Sequence, residues 1–390
     1  MHETIPRSEG SPGPVVVFSG GGTGGHLYPA LALAQAMVEA RPDVRPFFVG
    51  ASRGVEARVL PARGLDHALL PVEGFRRSAG VVGLGALRAV PALGASVVRV
   101  LGLLRSLRPE LVVVTGGYAG GPAGIGAGVL GIPLALQEQN AVPGVTTRLL
   151  SLWARQVHLA FPEAAERLPH RARRRVRVTG NPVRAASSLD RAKARALFGI
   201  PTDAVVVLVV GGSQGAVGMN RALVDAVVAV QRGELACPRG LTLLWSTGPR
   251  HYADVTDALR DAGSPTWVHA LAYIDDMPSA LVAADLAVSR AGGTTAELVN
   301  HGLPSVLVPL PTAAEDHQTS NARALESVGA AVVAPEAGLS GEILWGHVRR
   351  LVEDEDLRRR MSLAARSRAY PTAAAEIASD LLGLLQGGRR

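Results

Sequence analysis

One cysteine, one lysine and few aromatic residues set the first limits on this 390-residue sequence. Cys237 has no second cysteine to pair with, so no disulfide forms within the chain and no cysteine-based zinc site can be built. Lys193, the only lysine, lies in DRAKARA, and the GxxxxGK[ST] loop of P-loop ATPases is therefore missing. Arginine supplies the rest of the 40 basic residues, a preference that reads as a base-composition bias rather than as chemistry. Aromatics make up 4% of a chain that is 47% hydrophobic, so its cores must be mostly Val, Leu and Ala. That composition suits sheets covered by helices on both faces. No uninterrupted apolar run reaches the roughly 18–20 residues of a membrane span. The polar opening MHETIPRSEGSPGP lacks the apolar stretch of a secretory signal and reads as a disordered tail over residues 1–14. These absences give a soluble cytoplasmic protein as the expectation.

What is present is a long alternation of short Val/Leu/Ile-rich strands with helical patterns. Candidate strands are 15–18, 46–50, 110–115, 133–137, 156–160, 176–180, 204–212, 242–247, 284–289 and 304–310. Apolar runs of this length between helices read as βαβ units with buried parallel strands. The length favours two domains. A strand running into a glycine turn and then a helix occurs twice, as VVVFSGGGTGGH and VVVLVVGGSQGAVGMN, which places one Rossmann-like unit in each half. The turn signals Gly180, Asn181 and Pro182 put the boundary between domains 15–183 and 184–370. A C-terminal helix, within 371–390, is expected to pack back on the first domain.

Gly20, Gly22 and Gly25 satisfy GxGxxG after a strand. Glycine there allows positive φ and close backbone approach, and the following helix offers N–H groups to an anion. A dinucleotide fingerprint also needs an acid at the end of the second strand. PFFVG is followed instead by Ala51, Ser52 and Arg53, with Glu56 late, which argues against nicotinamide chemistry. A third constellation, DLAVSRAGGTTAELVNHGLP, runs a strand into Gly292–Gly293, then Thr294, Thr295 and Glu297 at a helix start. Backbone N–H groups plus the two Thr hydroxyls read as a phosphate cradle, and Glu297 as an acceptor for a ribose diol. A sugar nucleotide held by two Rossmann-like domains fits this better than a dinucleotide held by one.

GGTGGHLYPALALA, GGYAGGPAG, EQNAVPG, GNPVR, GGSQGA, YIDDM, RAGGTTAEL and EDHQTSNA follow one another in this order. In these eight motifs the sequence resembles the MurG family of N-acetylglucosaminyltransferases, from about Val15 to the C-terminal helix. The resemblance implies an α/β GT-B fold, two Rossmann-like domains with parallel sheets facing a central cleft. It implies an inverting transfer of GlcNAc from UDP-GlcNAc to the C4 hydroxyl of undecaprenyl-diphospho-MurNAc-pentapeptide in peptidoglycan synthesis.

Roles then fall on matching residues. His26 resembles the general base, and its place at a helix N-terminus disfavours imidazolium and independently suggests a proton acceptor. Thr23, Gly24 and Gly25 match the loop touching the donor, and Asn140 matches an asparagine holding donor sugar hydroxyls, with Glu138 beside it structural. Tyr118 is a candidate on the acceptor side. Arg184 and Ser213 match residues reaching the diphosphate, where a guanidinium and a hydroxyl can stabilise departing UDP without a metal. Ile274 matches the residue whose backbone reads uracil, Glu297 the ribose-binding acid and Gln318 a glutamine on the donor sugar; Gly292, Gly293 and Thr294 belong to the donor site. The only DxD, Asp354–Glu355–Asp356, stands beside Arg358–Arg360 in a helical stretch and reads as a salt-bridged face. Neither metal nor cofactor is expected.

The lipid-linked acceptor implies a peripheral protein on the cytoplasmic face of the plasma membrane, with an anionic lipid surface and other cell-wall synthesis proteins as partners. Residues 74–109 are apolar with Arg76, Arg77, Arg88, Arg99, Arg105 and Arg108 at intervals, and Pro91 is expected to break any long helix there. Val97–Leu107 reads as core-facing, and Phe75–Leu87 as a stretch balanced between core and membrane surface. HRARRRVRV lacks interleaved aromatics and leads into a strand, so nucleic acid is not an expected partner. The rival readings are a related GT-B enzyme, either a glycolipid synthase or a UDP-GlcNAc epimerase, and a non-catalytic sugar-nucleotide-binding protein.

Overall fold

The computed structural model describes residues 13–72, 85–183, 187–212 and 216–387, with side chains omitted at 85–93 and 386–387. The chain divides into two compact units, Met1–Val183 with Tyr370–Arg390, and Arg184–Ala369. Residues 74–84 of the arginine-studded stretch, with most of Phe75–Leu87, and most of the N-terminal tail lie outside the described residues.

Unit 1 carries a seven-stranded parallel sheet. Its strands in chain order are β1 (Val15–Ser19), β2 (Arg45–Ala51), β3 (His67–Leu70), β4 (Leu111–Val114), β5 (Leu134–Glu138), β6 (Gln156–Leu159) and β7 (Val176–Val178). Their order across the sheet is β3-β2-β1-β4-β5-β6-β7, every pairing parallel. Helices α1 (Gly24–Ala40), α2 (Glu56–Ala62), α3 (Gly85–Leu107), α4 (Gly117–Leu130) and α5 (Val145–Leu150) make the crossovers. The two faces bury separate apolar layers, as a parallel sheet requires. Val17, Val112, Val114, Ala123 and Leu136 lie in one, Val16, Phe18, Leu27, Leu33 and Phe48 in the other. The C-terminal helix Ala373–Gly387 completes this second layer by burying Ile377, Ala378, Leu381 and Leu385 against α1 and its strands.

Unit 2 repeats the plan with six parallel strands: β8 (Val205–Val210), β9 (Leu241–Ser246), β10 (Val268–Leu271), β11 (Leu286–Ser289), β12 (Ser305–Leu307) and β13 (Ala331–Val333). Their order is β10-β9-β8-β11-β12-β13. In both units strand order reverses beside the first strand, between β1 and β4 and between β8 and β11. Loops leaving the C-terminal ends of strands at such a reversal part in opposite directions and leave a crevice, the usual ligand position in open α/β sheets.

One local expectation is corrected. Pro91 does not end a helix, because α3 runs through it over 23 residues. Pro91 is the seventh residue of α3, past the four whose amides lack partners anyway, so the helix continues there at the loss of one internal hydrogen bond. The second half of α3 turns its apolar face to the core: Val100 and Leu104 are buried with Leu103 and Leu107 packed beside them, while Val98 on another face is 69% exposed. The strands β3, β10 and β13 carry no run of β-branched residues long enough to stand out.

Candidate active site

β1 is buried to its end, and the chain then turns through glycines into α1, which sets His26 in the first turn. The ring is half-buried. Its Nδ1 lies 3.1 Å from the carbonyl oxygen of Thr115 and 2.8 Å from Oε1 of Gln139. A carbonyl only accepts, so Nδ1 carries the hydrogen and Nε2 is the nitrogen of the neutral ring that can take a proton. Thr115 also donates its hydroxyl to the His26 carbonyl at 2.8 Å, tying the end of β4 to the start of α1.

The glycines of the β4–α4 turn are needed for this fit. Gly116 and Gly117 have φ of 90° and 72°. A Cβ on Gly117 would stand 2.3 Å from the Gly21 carbonyl oxygen and 2.9 Å from His26 Cδ2. Tyr118 follows in the first turn of α4, its ring against the backbone of Gly22. Thr23 and Gly25 are exposed at the same edge and Gly24 is half-buried. Asn140, after β5, is placed by Glu138. One oxygen of that buried carboxylate accepts from the Asn140 amide and side-chain nitrogens at 3.1 Å each; the other accepts from Gly144 N at 3.2 Å and Thr147 Oγ1 at 2.6 Å. Thr23–His26, Tyr118 and Asn140 thus all leave the C-terminal ends of β1, β4 and β5.

Glu56 alters the reading of the first glycine turn. It is fully buried, and its oxygens accept from Gly22 N at 2.9 and 3.0 Å and from Ala51 N at 2.8 Å. The Gly22 amide, which a dinucleotide phosphate would use, is therefore already bound by a carboxylate of the chain itself. The loop resembles a fingerprint in sequence, but in structure it presents a histidine.

In unit 2, Gly292, Gly293, Thr294 and Glu297 follow β11, and Gln318 comes beside Gly292 from the first turn of the helix His317–Glu326 after β12. Gln318 accepts from Leu310 N at 2.9 Å, and its side-chain nitrogen would stand 3.7 Å from a Cβ on Gly292. Thr295 does not join a phosphate cradle: it is buried and donates its hydroxyl to the Gly292 carbonyl at 2.7 Å, closing the turn. Buried Arg290 pins the same turn by donating to Val308 O and Pro309 O at 3.1 and 3.2 Å and pairing with Glu336. Ile274, 2% exposed, follows β10 at the same edge of the sheet. Arg184 and Ser213 lie outside the described residues.

Two family models match the chain, the glycosyltransferase family 28 N-terminal domain over residues 16–159 and the C-terminal domain over residues 206–377. A Moorella thermoacetica protein named UDP-N-acetylglucosamine–N-acetylmuramyl-(pentapeptide) pyrophosphoryl-undecaprenol N-acetylglucosamine transferase is 40% identical over 382 residues, 96% of this chain and 100% of the relative. The protein of that name from Salinibacter ruber is 41% identical over 378 residues, 95% and 97% of the two chains.

The chain belongs to the MurG family.

The crystal structure of Acinetobacter baumannii MurG superposes with a TM-score of 0.72 at 28% identity, covering 95% of this chain and 99% of that one. The two Rossmann-like units are those of a GT-B glycosyltransferase. A UDP-GlcNAc 2-epimerase from Neisseria meningitidis superposes at 0.62 but is 15% identical, a likeness of fold alone. Two side chains that hold His26 and its turn carry no signal in the sequence: Glu56, which bonds Gly22 N, and Gln139, which lies inside EQN and meets the His26 ring. The carboxylate-rich stretch is a helix start: Asp354 caps Glu355–Arg366 by accepting from Leu357 N at 2.8 Å, and Arg359 lies 3.2 Å from Glu355 and 3.8 Å from Asp356. Among the described residues no group of three or more His, Cys, Asp or Glu is placed to hold a metal ion.

Proposed function

We propose that the chain transfers GlcNAc from UDP-GlcNAc to the lipid-linked MurNAc-pentapeptide, with His26 as the base. Full-length identity to the MurG transferases supports the reaction, and one observation carries the role of His26. Its Nδ1 is held by two oxygens, so Nε2 is the proton-accepting nitrogen at the strand-order reversal of unit 1. In the proposed step the C4 hydroxyl of MurNAc attacks the anomeric carbon of GlcNAc and gives its proton to Nε2. The bond from that carbon to the diphosphate oxygen breaks, and UDP departs with the electron pair. One displacement inverts an α donor to a β product. Thr23, Gly24, Gly25, Asn140 and Gln318 take the donor sugar, Arg184 and Ser213 the diphosphate, Ile274 and Glu297 the uridine. Gly292, Gly293 and Thr294 give that half of the site its backbone, and Tyr118 faces the acceptor.

The protein meets the membrane peripherally in this reading. Among the described residues no helix is long and apolar enough to cross a membrane. Unit 1 instead exposes Val145, Leu149, Leu152 and Trp153 in and after α5, Leu149 by 58% and Trp153 by 56%. Arg148, Arg155 and Arg175 lie among them, and Arg175 donates to the carbonyls of Leu152 and Ala154 at 3.2 and 2.9 Å, bracing the loop that carries Trp153. Exposed apolar side chains ringed by arginines suit an anionic lipid surface.

The test is UDP release from UDP-GlcNAc with a short-chain lipid-linked MurNAc-pentapeptide. The wild type should release UDP only with the acceptor present, with or without EDTA, and His26→Ala should lose roughly 100-fold or more, the scale of a general base. A folded wild type that binds UDP and releases none would sink the transferase reading. An active His26→Ala would remove only the base.

A further inference from the structure

Behind His26 lies a row of buried amides that the assignments above leave without a role. Gln139 is 6% exposed, Gln137 1% and Asn181 6%. Gln139 Nε2 donates to the carbonyl oxygens of Thr115 at 2.7 Å and Gln137 at 3.2 Å, and also meets Gln137 Oε1. All three partners are acceptors, so this amide faces one way, with Oε1 turned to His26 Nδ1. Gln137 is fixed in turn, its Nε2 donating to Asn181 Oδ1 at 3.2 Å. Donor and acceptor alternate from Asn181 through Gln137 and Gln139 to the ring. Reversing any one amide would set like against like in a buried place, where an unmade hydrogen bond costs most.

A merely packed position would be filled more cheaply by an apolar side chain. Three hydrogen-bonded buried amides with one consistent polarity do something that packing does not: with the Thr115 carbonyl they set which ring nitrogen carries the proton. We propose that Gln139 is a positioning residue for the transfer reaction, held in one orientation by Gln137 and Asn181 and fixing the His26 proton on Nδ1, so that Nε2 stays available to the acceptor hydroxyl. The inference rests on the reading of His26 as the base.

The experiment compares the full-length wild type with Gln139→Met, which keeps the volume and loses the acceptor, and Gln137→Met, which alters the row behind but keeps the Gln139 acceptor, still held by the carbonyls of Thr115 and residue 137. His26→Ala and the double variant with Gln139→Met complete the set. Each is assayed for kcat and KM with UDP-GlcNAc and the short-chain acceptor, and the His26 ring nitrogens are observed by nitrogen-15 NMR. Gln139→Met should lower kcat about 10–100-fold, within the span a general base contributes, with KM for UDP-GlcNAc within about twofold of wild type. Gln137→Met should lose clearly less, because Gln139 Oε1 still faces Nδ1, and the double variant should be no slower than His26→Ala. The wild-type spectrum should show hydrogen on Nδ1, and Gln139→Met should show both tautomers.

Equal losses in Gln139→Met and Gln137→Met would overturn the proposal, because the row would then act through its packing and not through the acceptor on Nδ1. So would an unchanged tautomer in Gln139→Met, or losses that multiply with that of His26→Ala. If His26→Ala itself keeps its activity, the base assignment fails first, on its own measurement, and a tautomer shift seen beside it would reduce Gln139 to an ordering role.

Discussion

Replacing Glu56 tests whether the first glycine turn is held by an internal anion. Its two oxygens accept from Gly22 N and Ala51 N in a place with no solvent. Glu56→Ala leaves both amides without an acceptor, and an unsatisfied buried donor costs about 1–3 kcal/mol. Two of them give about 2–6 kcal/mol, before any cost of the cavity. Glu56→Gln is the control, since its single Oε1 can still serve Ala51 N and Gly22 N, while its Nε2 meets the Gly22 amide as donor against donor. That loss should stay near 1–2 kcal/mol. Urea unfolding followed by a probe in unit 1 reads both variants. With an m-value of about 2–3 kcal/mol per molar, the Ala midpoint should fall by about 0.7–3 M and the Gln midpoint by about 0.3–1 M. Transfer activity should fall in Glu56→Ala even in dilute buffer, because Gly22 leads directly to Thr23 and His26. An Ala variant that loses under 1 kcal/mol, or a Gln variant as damaged as Ala, would refute the reasoning.

Three further outcomes follow from named contacts. Gly117→Ala sets a methyl 2.3 Å from the Gly21 carbonyl oxygen at a positive φ and should lower kcat at least 10-fold by displacing His26, on the same scale as losing part of a base's contribution; steady-state UDP release checks it. His158, on β6, is buried, and burial pulls its pKa from 6.5 to about 4. The unfolded chain binds that proton first, so its contribution to stability is whole above pH 6.5 and drains as pH falls toward 4, by about 3 kcal/mol in all. Urea midpoints measured across that window should slope less in His158→Gln than in wild type. Leu149→Ser with Trp153→Ser should cut sedimentation with vesicles of anionic phospholipid several-fold while leaving unfolding midpoints within about 0.5 kcal/mol of wild type, since both side chains are more than half exposed.

Periodicity carried the fold a long way, because parallel strands buried on both faces are written as apolar runs and each of the long ones lies in a sheet. β3 as HALL, β10 as VHAL and β13 as AVV are too short and too mixed for that signal, and each lies at a sheet edge paired with one neighbour. The loops were legible as glycine turns, but their partners were not. Nothing in EARVLPA announces that Glu56 folds back onto Gly22, because the contact joins loops that follow two different strands. Gln139 was hidden for a related reason: in EQN its neighbours carry the recognisable chemistry, while its own role depends on a histidine 113 residues away. Pro91 shows the opposite error, a strong local rule overridden by a helix that continues through it.

The two units start from one device and use it differently. A strand, a glycine turn and a helix opening at a strand-order reversal make an anion site by default, because amides converge there with the helix dipole behind them. In unit 1 the chain supplies the anion itself. Glu56 closes the Gly22 amide, the turn becomes rigid, and what remains exposed at the helix start is Thr23, Gly25 and the edge of His26. In unit 2 the turn after β11 is stiffened from outside, by Arg290 on the carbonyls of Val308 and Pro309 and by Thr295 on Gly292, and no side-chain carboxylate takes the Gly293 or Thr294 amides among the described contacts. On the proposed assignment, converting one of two similar turns into a mount for the base, with the other left to the nucleotide, needs only one acidic residue in the right place. Glu56→Gln distinguishes this account from simple loop packing: it should slow transfer with little change in the binding of UDP, measured by calorimetry, because UDP is assigned to unit 2. A Glu56→Gln protein that loses UDP affinity in step with its activity would mean that the first turn holds nucleotide after all.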